Sequence, residues 1–317
     1  KKTDFRGLAI DWPNSSPQIL AEFLDDDRFV VRDRAIAALA KRGNKSLGAL
    51  EKILRTGSVD ARRNAIWALT RMGSTQAEQL VRTALTDEEQ SVRHTACNSI
   101  WKTRDTLAVD RLVKLLLKDE NPTIQMAATR ALGRIGDVIA VPDLLDYISR
   151  PLDRVREHAA IYALIELNDF AATERGLISD SSDVKKRALW ALNGMPDSSL
   201  EVNQLLELVG LANEALVDTV VSICKLHPEW AEEVATTFHR WTTDNKLTEQ
   251  HRTVITTLAP LYLRNEKMRA FVGKLFATKD WKESTLVFDI IADSPQKIDL
   301  HPSWRTDIES ALWSGHI

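Results

Sequence analysis

The chain has 317 residues, 44% hydrophobic and 27% charged, with 12 Gly, 10 Pro and a net charge of −3. That balance can pack a core and excludes a disordered chain, and no apolar run approaches the roughly 18 residues of a membrane-spanning helix. Charge is uneven, with 30 Lys/Arg against 27 Asp/Glu in residues 1–195 and 12 against 18 in the remainder, too slight a basic excess for a surface built on phosphate contacts.

Residues 1–16 read as a polar lead-in containing Trp12-Pro13, and Ser16-Pro17 then offers a helix cap followed by proline at the first helical position. Helical segments follow in pairs: 18–24 with 30–42, 47–54 with 61–72, 77–85 with 92–103, 107–117 with 123–135, 139–148 with 154–167, and 170–178 with 184–193. Gly43, Gly73, Gly136 and Gly194 stand at the ends of second helices, where left-handed caps are expected. Thr75 with Glu78, and Ser198 with Glu201, have the spacing of a reciprocal capping box. Beyond Met195 apolar stripes continue over 200–211, 215–226, 229–241, 248–263, 268–276, 281–291 and 304–313, with His227-Pro228 and His301-Pro302 as helix starts.

The second helix of each early pair carries one motif. It reads Val31-Arg32…Ala35…Leu39, Ala61-Arg62…Ala65…Leu69, Val92-Arg93…Ala96…Ile100, Ile124-Gln125…Ala128…Leu132, Val155-Arg156…Ala160…Leu164 and Val184-Lys185…Ala188…Leu192. The anchor alanines step by 30, 31, 32, 32 and 28 residues, a period that belongs to stacked helix pairs. Its apolar members lie one turn apart on a single stripe, and the alanine lets neighbouring helices approach closely. An acidic residue precedes the polar position by six in Asp26/Arg32, Asp87/Arg93 and Asp119/Gln125, which predicts a hydrogen-bond ladder within repeats. The expected architecture is an all-α solenoid, a superhelix of antiparallel helix pairs. It has a lead-in over 1–16, six regular repeats over 17–195, and divergent pairs with a C-terminal capping helix over 196–317, continuous with the solenoid.

The motif and its period resemble HEAT repeats. More narrowly, the strings DDDRFVVRDRAIAALAKRG, ARRNAIWALTRMG, ATRALGRIGDVIAVPDLL, REHAAIYALIEL and HPEWA are similar to the HEAT region of large planctomycete-type membrane-bound dehydrogenases that also bind haem. That resemblance covers roughly residues 8–240. It implies a propeller-like dehydrogenase region before the array, a haem-binding region with Cys-x-x-Cys-His after it, and a periplasmic or extracellular compartment. These 317 residues hold neither a Cys-x-x-Cys-His nor propeller strand repeats, so the implied redox chemistry lies outside them. The start at Lys1-Lys2-Thr3 and the end at Ile317 are expected to bound a segment of something longer.

Two residues past each anchor alanine runs a column of Ala37, Trp67, Asn98, Arg130, Tyr162 and Trp190, flanked by Arg63, Arg71, Lys102, Arg134 and Lys186. HEAT solenoids turn this position toward a concave groove. Trp67, Arg71, Lys102, Arg130, Arg134, Tyr162 and Trp190 are therefore the candidate binding residues, an aromatic and cationic surface for acidic or extended protein partners or for neighbouring domains of the same chain. The competing reading packs Trp67 and Trp190 between repeats.

No residues suggest chemistry. The seven histidines contain no helical pair at three or four residues' spacing, and Glu157-His158 reverses the His-Glu order of HEAT-type hydroxylases. Nucleophile elbow, phosphate loop and dinucleotide turn are all missing from the sequence. Carboxylate runs such as Asp25-Asp26-Asp27 and Glu88-Glu89 sit where helix N-termini favour negative charge. Cys97 and Cys224 fall several repeats apart and read as small core residues. Catalytic, cofactor and metal residues are thus expected to be absent, leaving a non-catalytic interaction or spacer module. The alternatives are a HEAT-fold DNA glycosylase-like protein and a HEAT-like bilin lyase or chaperone.

Overall fold

The computed structural model describes residues 4–243, 247–277, 286, 287, 289, 290 and 304. They form helices and turns with no strand among them, and none of their helices is long and apolar enough to cross a membrane. Two compact units result, one ending at Thr173 and the other beginning at Glu174. The expected segments 281–291 and 304–313, with the His301-Pro302 start, lie outside the described residues, apart from the buried Leu286, Val287, Ile290 and Trp304 and the exposed Asp289.

The first unit alternates short and long helices: α1 (Pro17–Glu22), α2 (Phe29–Arg42), α3 (Leu47–Thr56), α4 (Val59–Met72), α5 (Thr75–Thr83), α6 (Gln90–Thr103), α7 (Val109–Lys118), α8 (Pro122–Ile135), α9 (Val141–Tyr147) and α10 (Arg154–Leu167). Helix α11 (Phe170–Glu174) spans the division. The second helices α2, α4, α6, α8 and α10 have 14 residues each and pack in that order, each on the next.

Local signals explain most helix ends. Ser16 accepts from the Ile19 amide ahead of Pro17, and Asp153 accepts from the Val155 and Arg156 amides. Gly73 and Gly136 close α4 and α8 in the left-handed conformation, but Arg104 (φ 55°) and Asn168 (φ 52°) do the same without glycine. Gly43 keeps a positive φ in a different region, and Gly194 remains inside its helix. Both expected capping boxes shift. Ser74, one residue before Thr75, caps α5, and the second box is Glu201 with Gln204, while the Ser198 hydroxyl accepts from the Leu200 amide.

The motif stripe is the core. Val31, Ala35, Leu39, Ala65, Val92, Ala96, Ala128, Leu132, Ala160 and Leu164 are fully buried, and each such Leu or Val contributes roughly 1.5–3 kcal/mol. Val155 is the exception at 63% exposure. It stands five residues before Ala160 instead of four, so Arg156 takes the stripe position and Val155 turns outward, as Val30 does at 40% exposure. Cys97 and Cys224 are buried free thiols, and desolvation pushes each up to about 12.

The expected ladder exists, with a division of labour invisible in the spacing. Within a repeat the long polar side chain binds backbone: Arg32 Nη1 donates to the Asp26 carbonyl at 2.7 Å, Arg93 Nη1 to the Asp87 carbonyl at 2.9 Å, and the neutral Gln125 Nε2 to the Asp119 carbonyl at 2.7 Å. Carboxylates reach across to the neighbouring repeat. Arg93 Nε donates to Asp119 Oδ2 at 2.8 Å, and Arg62 Nη2 to Asp87 Oδ1 at 3.1 Å. The Arg62 Nε approaches Asp87 Oδ2 at 3.1 Å as an ion pair without hydrogen-bond alignment. At the next joint Gln125 Oε1 accepts from Arg156 Nη1 at 3.0 Å and from the Tyr147 hydroxyl at 3.2 Å.

The lead-in is a folded cap. Arg42 Nη2 gathers the carbonyls of Trp12, Pro13 and Ser15 at 3.0, 3.1 and 2.6 Å, and Trp12 Nε1 donates to the Gly7 carbonyl at 2.8 Å. Gly7 lies against Val31, the first residue of the motif stripe, with φ +63°, where an added Cβ would meet Val31 Cγ2 at 2.9 Å. Gly7→Ala combines a strained backbone with that clash and is expected to destabilise by about 1–3 kcal/mol. Thermal melting would show it, and an unchanged midpoint would mean the cap adds nothing to the array.

The second unit contains α12 (Ser182–Gly194), α13 (Val202–Glu207), α14 (Glu214–Leu226), α15 (Ala231–Thr243), α16 (Glu249–Leu258) and α17 (Glu266–Ala277). Helices α12, α14 and α16 pack in series, as do α13, α15 and α17. The motif persists in disguise: Leu216-Val217…Val220…Cys224 and His251-Arg252…Ile255…Ala259 repeat its spacing, with Val220 and Ile255 fully buried in the alanine's place. His227-Pro228 opens a tight turn in which His227 stacks on Trp230 at 4.0 Å and bonds Glu229 Oε1 and Asn193 Oδ1, each at 2.7 Å.

Candidate second-helix binding face

One stripe of each second helix stays in solvent because it lies opposite the first-helix layer. On α4 this stripe is Arg63, Trp67 and Arg71, spaced one turn apart. The equivalents are His94, Asn98 and Lys102 on α6, Arg130 and Arg134 on α8, and Tyr162 on α10. Arg71, Lys102, Arg130 and Arg134 are exposed, Trp67 is half-buried and Tyr162 is 53% exposed. The structure thus places six of the seven expected residues on four adjacent helices of one unit. Trp190 belongs to α12 of the second unit, where it is half-buried.

An open groove of about 590 Å³ runs along this face, with Phe29, Ile36, Asn64, Trp67, Arg71 and Lys102 in its lining. Arg130, Arg134 and Tyr162 are not part of that lining. Trp67 is shared between packing and groove, since most of it is covered while an exposed part lines the opening. Phe29, 71% exposed, and Trp101, 39% exposed, were not foreseen. The guanidinium of Arg134 lies over the Trp101 ring, 5.5 Å from its centroid. Trp101 could have been found as the neighbour of Lys102 at the exposed edge of the stripe.

Electrostatics vary along the face. Arg63 pairs with Asp60 at 3.1 Å and Arg71 with Asp33 at 3.0 Å, all well solvated. Lys102 and Arg130 make no ion pair among the described residues. Burial, followed by the nearby charges of Arg130 and Arg63, holds the His94 imidazole below its usual titration range. His94 Nδ1 meets the Asn98 amide at 3.2 Å. Such a surface can bind an anion or stack an aromatic group, but it offers no nucleophile and base in contact. Among the described residues no cluster of three or more His, Cys, Asp or Glu is arranged to hold a metal ion.

Stacked helix pairs, a packed alanine stripe and a turn ladder define an α-solenoid. The HEAT repeats family matches residues 16–90 and 78–165, so this stretch is a run of HEAT repeats. No curated protein sequence matches the chain. Among solved structures it is similar to the complex of CpcE and CpcF of phycocyanin lyase from Nostoc sp. PCC7120, at 20% identity over 78% of this chain and 96% of that one, with a TM-score of 0.38. It is also similar to the designed armadillo repeat protein YIII(Dq)4CqI, at 19% identity over 57% of this chain and 100% of that one, with a TM-score of 0.34. Neither likeness bears on function. The dehydrogenase and haem-protein resemblance of residues 8–240 finds no counterpart in these matches.

Proposed function

We propose that the chain is a non-catalytic protein-interaction module that docks a polypeptide along the second-helix face of its first unit. The observation behind this reading is the solvent-accessible set Trp67, Arg71, Lys102, Arg130, Arg134 and Tyr162 on four successive helices of a HEAT array. Rigid aromatic anchors beside cations are the residue types that dominate interface energies. Trp190 offers a similar side chain in the second unit. Selecting peptides from a random display library against the protein tests the reading. The double variant Trp67→Ala with Tyr162→Ala should weaken the selected peptides tenfold or more, since each anchor is worth about 2 kcal/mol. Affinity that survives in a folded double variant would remove this face from the proposal.

A narrower role, holding a dehydrogenase region and a haem region of a periplasmic or extracellular redox protein in register, has only the sequence strings of residues 8–240 in its support. Reading the source gene on both sides for a propeller-like region and a Cys-x-x-Cys-His tests that role.

A further inference from the structure

Six residues past the anchor alanine, at the outer end of the same stripe, the sequence holds Lys41 on α2, Arg71 on α4, Lys102 on α6 and Arg134 on α8. All four side chains are exposed. The chain has 42 Lys and Arg among 317 residues, about one position in eight, so four consecutive cations at one register are not what composition alone produces. At α10 the same position is Glu166, which reverses the sign and marks where the row stops.

We propose that this row reads an acidic, extended polypeptide by register, taking one carboxylate per repeat from every third residue of the bound segment. The inference rests on the docking face proposed above and adds the chemistry of the occupant.

The spacing argument is geometric. Helices α2, α4, α6 and α8 are successive packed neighbours, and packed helices stand about 8–10 Å apart. The row therefore presents a cation at each such step. An extended chain of the polyproline II type rises about 3.1 Å per residue with three residues per turn, so three residues advance about 9 Å and return a side chain to the next cation. The charge argument agrees. Lys41 and Lys102 make no ion pair among the described residues. Arg71 holds Asp33 only at the surface, with both side chains about half exposed, and such a pair exchanges readily for a ligand carboxylate. Stacked on Trp101, Arg134 is kept in place by the ring while its guanidinium donors stay open to a carboxylate. Beside the row, Trp67, Asn98 and Arg130 supply an aromatic platform, an amide and a further cation for the intervening residues.

The test is fluorescence anisotropy with a labelled peptide of four Glu-Ser-Tyr triplets. Its comparators are a peptide of the same composition with the four Glu in one block, a Lys-Ser-Tyr peptide, and duplex DNA as competitor. The triplet peptide should bind at least tenfold more tightly than both comparison peptides and weaken with added salt. Lys102→Glu should lower its affinity tenfold or more while leaving the thermal melt unchanged, because that side chain is in solvent.

Equal binding of the block peptide would overturn the register, and equal binding of the Lys peptide, or indifference to Lys102→Glu, would overturn the row. Displacement by duplex DNA at comparable concentration would make the surface a general polyanion site and overturn the polypeptide assignment. Should the triplet peptide fail while display-selected peptides bind and lose affinity in the Trp67→Ala, Tyr162→Ala protein, the acidic register is wrong and the docking face stands. If the selected peptides also ignore that double variant, the face itself is wrong.

Discussion

Asp105→Ala is expected to cost about 3–5 kcal/mol of unfolding free energy, the largest loss from any single change argued for this protein. Asp105 is 6% exposed, and its carboxylate accepts twice from Arg82 Nη1, at 2.8 and 2.6 Å, while its Oδ1 also accepts from the Leu107 amide at 3.1 Å. Arg82 lies on α5 and Asp105 in the turn leading to α7, so the pair ties consecutive repeats from within. Deleting the acid leaves a guanidinium with 10% side-chain exposure uncompensated, and that penalty, more than the lost attraction, sets the magnitude. Asp105→Asn keeps an acceptor for the Leu107 amide and should lose less. Replacing both partners together, Arg82→Met with Asp105→Leu, removes the stranded charge and should recover much of the Asp105→Ala loss. Urea unfolding of the three variants decides the matter. An Asp105→Ala midpoint close to that of the unchanged protein would show that water reaches Arg82.

Ala128→Leu is expected to destabilise by roughly 1–3 kcal/mol. Ala128 is fully buried on α8, which packs on both α6 and α10. There is no slack on the α10 side, because even a methyl added at Gly133 would come within 2.8 Å of the Ala163 Cα. Three further carbons at Ala128 must therefore push a neighbouring helix aside or leave their preferred rotamer. Ala128→Gly, by contrast, loses only helix propensity and a methyl contact, about 1 kcal/mol or slightly more. Melting curves that placed Leu at or above Ala would mean the anchor column is out of register.

Helix positions were legible because apolar spacing and punctuation agree along the chain. Arg154–Leu167 begins and ends where the periodicity predicts, and the other second helices of the first unit differ by one or two residues at their starts. What escaped were effects of tertiary context. Val155 was aligned with Val92 by residue type, although five residues, not four, separate it from its alanine, and in a helix that one-residue difference swings a side chain out of the core by about 100°. The repeats beyond Met195 faded because Val220 and Ile255 replace the alanine, hiding a spacing that burial reveals. Arg104 and Asn168 stop helices without glycine, which local propensity disfavours and packing imposes. On the candidate face, residue types identified the stripe. The Arg134 stack on Trp101 and the Arg71 pair with Asp33 join different helices, so no spacing within one repeat encodes them.

The turn ladder bears on how such a chain changes length over generations. The rungs at Arg93 and Gln125 each consist of a carbonyl six residues back and a contact with an adjacent unit, so neither refers to the total number of units. Duplicating the α5–α6 unit would give Arg93 of the first copy the Asp87 of the second, the same acceptor that Arg62 has now, provided the end cap held by Arg42 and Gly7 is retained. Length is then an inheritable dial, and because the exposed cations come one per unit from α2 to α8, each duplication within that stretch would extend the footprint on an elongated ligand by about three residues.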